Sequence, residues 1–137
     1  MNRKLLQRLA RERTRDARAL LKEKQYSGAY YLSGYAVECA LKACIAKSTN
    51  RHDFPDLAIV KKCYTHDLGE LLKLAGLSVQ RDTDMKADDA LAVNWTVTKD
   101  WSEQSRYATH AQQKAEDLFR AVTDRQHGVL KWLKTRW

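Results

Sequence analysis

The sequence predicts an all-α bundle organised around its second helix. Three observations carry that prediction. Apolar residues recur at helical spacing through most of the chain, and no stretch of useful length alternates with a period of two. One proline and five glycines in 137 residues leave little punctuation for turns, so the elements must be long. Residues 29–46, AYYLSGYAVECALKACIA, are apolar or small on nearly every side, which suits a helix surrounded by others. A chain of this length, 44% hydrophobic and 31% charged, has the composition of an ordinary globular protein and is expected to form one domain over residues 1–137.

The first helix is expected over residues 3–24, with Leu5, Leu6, Leu9, Ala17, Leu20 and Leu21 on its apolar face. Gln25, Tyr26, Ser27 and Gly28 form a break, and the second helix runs on to about Lys47. So short a link makes the two helices antiparallel neighbours. The segment STNRHDFP, which ends in the only proline, reads as a loop. Asp56 is expected to cap a short helix, LAIVKKCY. Thr65 is expected to cap HDLGELLKLA, which stops at Gly76, where a left-handed residue is wanted.

After a loop LSVQRDTD, Asp84 is expected to cap a helix from about Met85 to Val97. The linker KDWSEQSRY then leads to Thr109, and Thr109 with Gln112 has the capping-box spacing. A last helix continues to the C-terminus with Ala111, Ala115, Leu118, Val122, Val129 and Leu133 on one face.

The N-terminus is basic at once and has no apolar core or cleavage site of a secretory signal, so the expected location is cytoplasmic. Cys39, Cys44 and Cys63 have no C-x-x-C spacing and read as small core residues. Glu38 and Lys42 interrupt the apolar second helix. In a bilayer each charge would cost about 2.5–3.5 kcal/mol, so a buried helix of a globular protein is the better reading and no membrane is expected. The two residues are one helical turn apart in the favourable order for an ion pair. They are either a partly solvated structural pair or part of a site.

Four stretches together resemble the prokaryotic HEPN family: YSGAYYLSGYAVECALKACIAK, THDLGELLKLAGL, WSEQSRY and the Trp-rich closing helix. The resemblance runs from about Leu9 to Trp132, in the expected order. It implies an antiparallel up-and-down bundle of four to five helices, commonly a homodimer. Such domains occur in toxin–antitoxin and defence systems or beside minimal nucleotidyltransferases. Several are metal-independent ribonucleases with an Arg, about four to six intervening residues and a His, two such motifs meeting in one dimer cleft; others are non-catalytic binding or antitoxin partners. Here Arg106 and His110 have only three residues between them, one short of that pattern. Arg120 and His127 have six, but both fall in the expected last helix, about 10 Å apart along its axis.

No P-loop or Rossmann glycine pattern is present, and His52, His66, His110 and His127 are too scattered to suggest a metal site; no cofactor is expected. Each His is expected at the surface or in a capping position, His66 in the first turn of its helix with Asp67 favoured there by the helix dipole. Charge is the feature that stands out. Nine basic and three acidic residues within 1–25 leave +6 of the chain's +8 in the first helix. Lys4, Arg8, Arg11, Arg15, Arg18 and Lys22 fall in an arc of about 80°, a stripe about 27 Å long opposite the leucines. That stripe can track a phosphate backbone, dock an acidic partner or simply stay solvated. Arg13 projects into the apolar face and calls for an acidic partner on a neighbouring helix or a second subunit.

Three function classes follow. The first is an RNA- or nucleotide-associated module paired with a nucleotidyltransferase-like protein. The second is a metal-independent ribonuclease using Arg106 and His110. The third is a non-catalytic interaction subunit, with Tyr30, Tyr31, Tyr35 and the small residues Gly28, Ala29, Ser33 and Gly34 forming a homodimer face.

Overall fold

The computed structural model describes residues 2–49 and 56–137; the expected loop at 48–55, with His52 and Pro55, lies mostly outside them. Among the described residues there are eight α-helices and no strand. Four helices have eleven residues or more: α1 (Arg3–Lys22), α2 (Tyr26–Ser48), α6 (Asp89–Lys99) and α7 (Gln112–Thr123). Shorter ones are α3 (Leu57–Lys62), α4 (Leu68–Leu74), α5 (Ser78–Ala87) and α8 (Val129–Lys134). A 3-10 segment, Glu103–Tyr107, precedes α7. The all-α class is as expected.

Helix α1 starts where the Asn2 side chain accepts a hydrogen bond from the Leu5 amide at 2.9 Å. It ends two residues earlier than expected, because Lys24 takes a left-handed conformation (φ 60°) and the Gln25 amide turns back to the Leu20 carbonyl at 2.8 Å. The chain then reverses along α1. A Cβ on Gly28 would lie 3.1 Å from Leu20, while Leu6 lines one cavity with Ile45 and Ala46 at the other end. The helices are therefore antiparallel.

Helix α2 is the central member and packs against α1, α4, α7, α8 and the 3-10 segment. Val37, Ala40, Leu41 and Ala43 are fully buried, with Leu68, Leu71, Leu118, Val122 and Leu133 around them. Each such leucine contributes about 1.5–3 kcal/mol through burial. Three of the four small residues expected at a dimer face, all but the half-buried Gly28, pack inside the protomer. Ala29, Ser33 and Gly34 are buried, and a Cβ on Gly34 would stand 2.2 Å from the Trp101 ring. Cys39 and Cys44 are core residues, whereas Cys63 is only half-buried.

Asp56 caps α3 as expected, and Gly76 ends the α4 segment at φ 73°. Several boundaries differ from expectation. Asp67, not Thr65, caps α4, its carboxylate accepting from the Glu70 amide at 2.9 Å. The polar segment expected as a loop at 77–84 is mostly helix α5, with Asp84 inside it, and Asp88 supplies the cap of α6. Asp84 instead accepts from Trp132 Nε1 and Arg136 Nη2, each at 2.8 Å, tying α5 to the C-terminus. Long-range bonds of this kind hold a segment that has no apolar stripe of its own.

The expected capping box also fails. Helix α7 begins at Gln112 after Ala111, with no side-chain cap. The last helix is broken at residues 124–128, where Asp124 Oδ2 accepts from the Gln126 and His127 amides at 3.1 and 2.7 Å. Gly128 permits the corner, since a Cβ there would sit 2.4 Å from the Asp124 carbonyl oxygen. Arg13 finds its acids on its own helix, Asp16 at 3.4 Å and Glu12 at 3.6 Å, rather than on a neighbour.

Candidate functional site

The charged pair of α2 is the root of a polar chain running from the core to the surface. Glu38 is 2% exposed. Its Oε1 accepts from Lys42 Nζ and lies beside His66 Nδ1, both at 2.9 Å. His66 precedes α4 and is held by α2 and the 3-10 segment together, not in the first turn of a helix as expected. Its Nε2 meets Glu103 Oε2 at 3.0 Å, and the same carboxylate oxygen lies 4.0 Å from Arg106 Nη2. Both ring nitrogens of His66 thus face carboxylate oxygens, and only the doubly protonated ring donates to both. The order is Lys42, Glu38, His66, Glu103, Arg106, with the imidazole between two carboxylates and a cation at each end.

Around this chain some polar capacity is unused. Glu38 Oε2, Trp101 Nε1 and Ser105 Oγ are buried without a hydrogen-bond partner. Trp101, His66 and Glu103 line one shallow cavity with Thr65 and Ser102. Beside Glu38, burial pushes the Cys39 thiol up to about 11, which removes it as a nucleophile. Arg106 is 45% exposed on its side chain, with its guanidinium 4.9 Å from the Tyr107 ring centroid. Tyr107 is itself largely exposed.

His110 is placed differently. Its backbone amide donates to Ser27 Oγ at 2.9 Å, and its ring stacks on the buried Tyr30 at 4.0 Å between centroids. Its Nε2 faces the Ser105 carbonyl at 3.3 Å. Arg106 and His110 therefore share the 3-10 corner but bond to different partners. The rival pair separates further. Arg120 pairs with Asp117 at 3.7 Å on α7, whereas His127 sits in the α7–α8 corner with Nδ1 2.8 Å from Asp88 Oδ2.

The basic stripe is laid out as its periodicity requires. Lys4, Arg8, Arg11, Arg15, Arg18 and Lys22 are all exposed along α1. Arg8 is partly offset by Glu12 at 3.6 Å. Arg11 and Arg18 lie over the rings of Trp137 and Phe119, at 4.9 and 5.6 Å, which limits their freedom and extends the charge toward the C-terminal helices.

The sequence profile described as HEPN domain matches residues 3–135, almost the whole chain. The chain belongs to the HEPN domain family. Nothing matches it among the curated proteins or the solved structures. HEPN domains are generally linked to RNase or nucleotide-related functions, and they often dimerise. Among the described residues no helix is long and apolar enough to cross a membrane.

Within this HEPN chain, sequence reasoning singled out Glu38, Lys42 and Arg106 and missed the two residues that connect them. His66 is 28 positions from Glu38 and 37 from Glu103, so no local spacing links the three. The available signal was a carboxylate in the middle of an apolar helix, which demands a partner from elsewhere in the fold.

Proposed function

We propose that this HEPN domain is an RNA- or nucleotide-associated module working with a nucleotidyltransferase-like partner in a toxin–antitoxin or defence pair. The observation that carries the reading is the exposed cationic face of α1. Six like charges along one helix raise the local potential for a polyanion, and their arginines suit bidentate phosphate contacts. The chain acts as one unit over residues 1–137 and as a homodimer in the cytoplasm. Changing Arg8, Arg11, Arg15 and Arg18 to Gln should leave the bundle folded. It should also flatten the salt dependence of single-stranded RNA binding by about 3 in the log–log slope. An unchanged slope would leave the stripe as a solvated surface, and no RNA binding even at low salt would leave only the role of a non-catalytic interaction subunit.

The 3-10 corner supports a second reading, a metal-independent ribonuclease. Arg106 is exposed and backed by Glu103, and His110 is held near it by Tyr30 and Ser105. In this reading Arg106 stabilises phosphate charge and His110 moves the proton of the RNA 2′-hydroxyl, a second subunit supplying the opposite acid or base. Cleavage in EDTA by wild type, lost in Arg106→Ala and His110→Ala but kept in His127→Ala, is the expected result. No cleavage by wild type would reject the enzyme reading.

A further inference from the structure

A second concentration of positive charge lies where α1 meets the α7–α8 corner. A groove of about 260 Å³ there is lined by Arg18 on one side and by Arg125, Lys131 and Lys134 on the other. The two walls come from opposite ends of the chain, so no local stretch of sequence holds all four cations. All four side chains belong to exposed residues, and none has a carboxylate within 4.0 Å among the described residues.

Of the four cations, Lys131 donates to the Gln126 carbonyl at 3.5 Å, and the remaining lining adds little to hold them. Asp124 is the one carboxylate in the groove wall, and its Oδ2 is taken up by the Gln126 and His127 amides. Those amide bonds hold it well below the usual carboxylate range, so it remains ionised and fixed. Thr14 and Thr123 donate their hydroxyl protons to the Ala10 and Phe119 carbonyls at 2.8 and 2.7 Å. They offer a ligand no free donor. Whatever binds must be held by the cations, which favours a polyanion over a neutral polar molecule.

Position adds to this. Arg18 is pinned over Phe119, and Arg11, the next stripe residue but one toward the N-terminus, is close enough to Lys134 to lower its pKa after desolvation. Four like charges share the groove with the single carboxylate of Asp124, and crowding of that kind is costly unless a further anion joins them. The groove also continues the exposed stripe of α1, so one extended strand can lie along both.

We propose that the groove formed by Arg18, Arg125, Lys131 and Lys134 is a phosphate seat that holds the backbone of a single-stranded RNA running on from the α1 stripe. The inference rests on the RNA-associated reading of the domain and places a contact region that the 3-10 corner does not include.

The test compares wild type with Arg125→Gln/Lys131→Gln/Lys134→Gln. A charge-matched control, Lys61→Gln/Lys62→Gln/Lys73→Gln, removes three exposed cations from α3 and α4. Circular dichroism verifies that each is folded. Binding of a labelled RNA of about twelve nucleotides is followed by anisotropy across salt concentration. The groove variant is expected to lose about tenfold in affinity at low salt and about 2 in the log–log salt slope, with the control close to wild type. Equal loss in both variants, or RNA binding retained in full by the groove variant, would overturn the groove while leaving RNA association intact. A parallel titration uses inorganic tripolyphosphate and ATP. If wild type binds these through the groove but binds no RNA, the seat belongs to a free nucleotide, and the RNA assignment falls together with the RNA reading of the domain.

Discussion

Replacing Lys42 by methionine should destabilise the protein by about 3 kcal/mol, because it strands a buried carboxylate. Methionine keeps the unbranched stem but removes the ammonium 2.9 Å from Glu38 Oε1. Glu38 is 2% exposed and its other oxygen already has no partner, so water cannot readily replace the lost donor. Breaking a buried pair from one side costs about 3–5 kcal/mol. The lower end applies here, since His66 still reaches the same oxygen and the Lys42 side chain is 17% exposed. For a chain of this size that is a fall in Tm of about 10 °C. Urea unfolding followed by tryptophan fluorescence measures it. The companion Glu38→Met/Lys42→Met removes both charges and should return to within about 1 kcal/mol of wild type, recovering about 2 kcal/mol of the loss. A Lys42→Met protein within about 0.5 kcal/mol of wild type would refute the reasoning, as would a double variant no more stable than the single.

Gly34→Ala should force Trp101 from its seat, because the new Cβ would stand 2.2 Å from the ring. The expected cost is about 1–3 kcal/mol, with Trp101 more accessible to acrylamide quenching; unchanged quenching would show that the ring has room to move. Lys24→Gly should raise stability by about 0.5–1 kcal/mol, since Lys24 holds φ 60° where only glycine is unstrained, and an unchanged Tm would remove that strain from the account. Acid should loosen the C-terminal anchorage. Hydrogen bonds from Trp132 to Asp84 and from His127 to Asp88 lower both carboxyl pKa values in the folded state. Their stabilisation is therefore complete above the unfolded value of about 3.9 and is lost as pH falls through the lower folded values. Asp84→Asn and Asp88→Asn should flatten the fall of Tm in that window, and an acid profile identical to wild type would rule out these two carboxylates.

The helices legible in the sequence were those whose own apolar pattern and termini agree. Helices α1 and α2 follow leucine spacing and a continuous apolar run, Asp56 marks the start of α3, and Gly76 marks the end of the α4 segment. Misread stretches are held by distant partners instead. The segment Ser78–Ala87 is polar and reads as loop, yet Asp84 bonds to Trp132 and Arg136 about fifty residues away. Asp84 and Asp88 are equally good caps by residue type, and Asp88 is the one used, with its second carboxylate oxygen bound to His127. The corner at 124–128 depends on Asp124 turning onto amides two and three residues ahead, which competes with continuing the helix.

For the candidate sites the same division holds. The α1 stripe is a local periodicity and was readable as such. Glu38 and Lys42 announced a buried charge, but His66 and Glu103 complete it through contacts that only folding creates. Small residues in α2 suggested an interface between subunits. The structure uses Gly34 to admit Trp101 of the same chain, because a helix can be approached closely from within as well as from outside.

Recovery of the tagged protein from its own cells, with sequencing of bound RNA and identification of bound protein, tests the account most directly. The proposal predicts RNA and a nucleotidyltransferase-like protein with wild type, and loss of the RNA when Arg8, Arg11, Arg15 and Arg18 are changed to Gln. Recovery of neither from wild type, or the same RNA yield from the four-arginine variant, would contradict it.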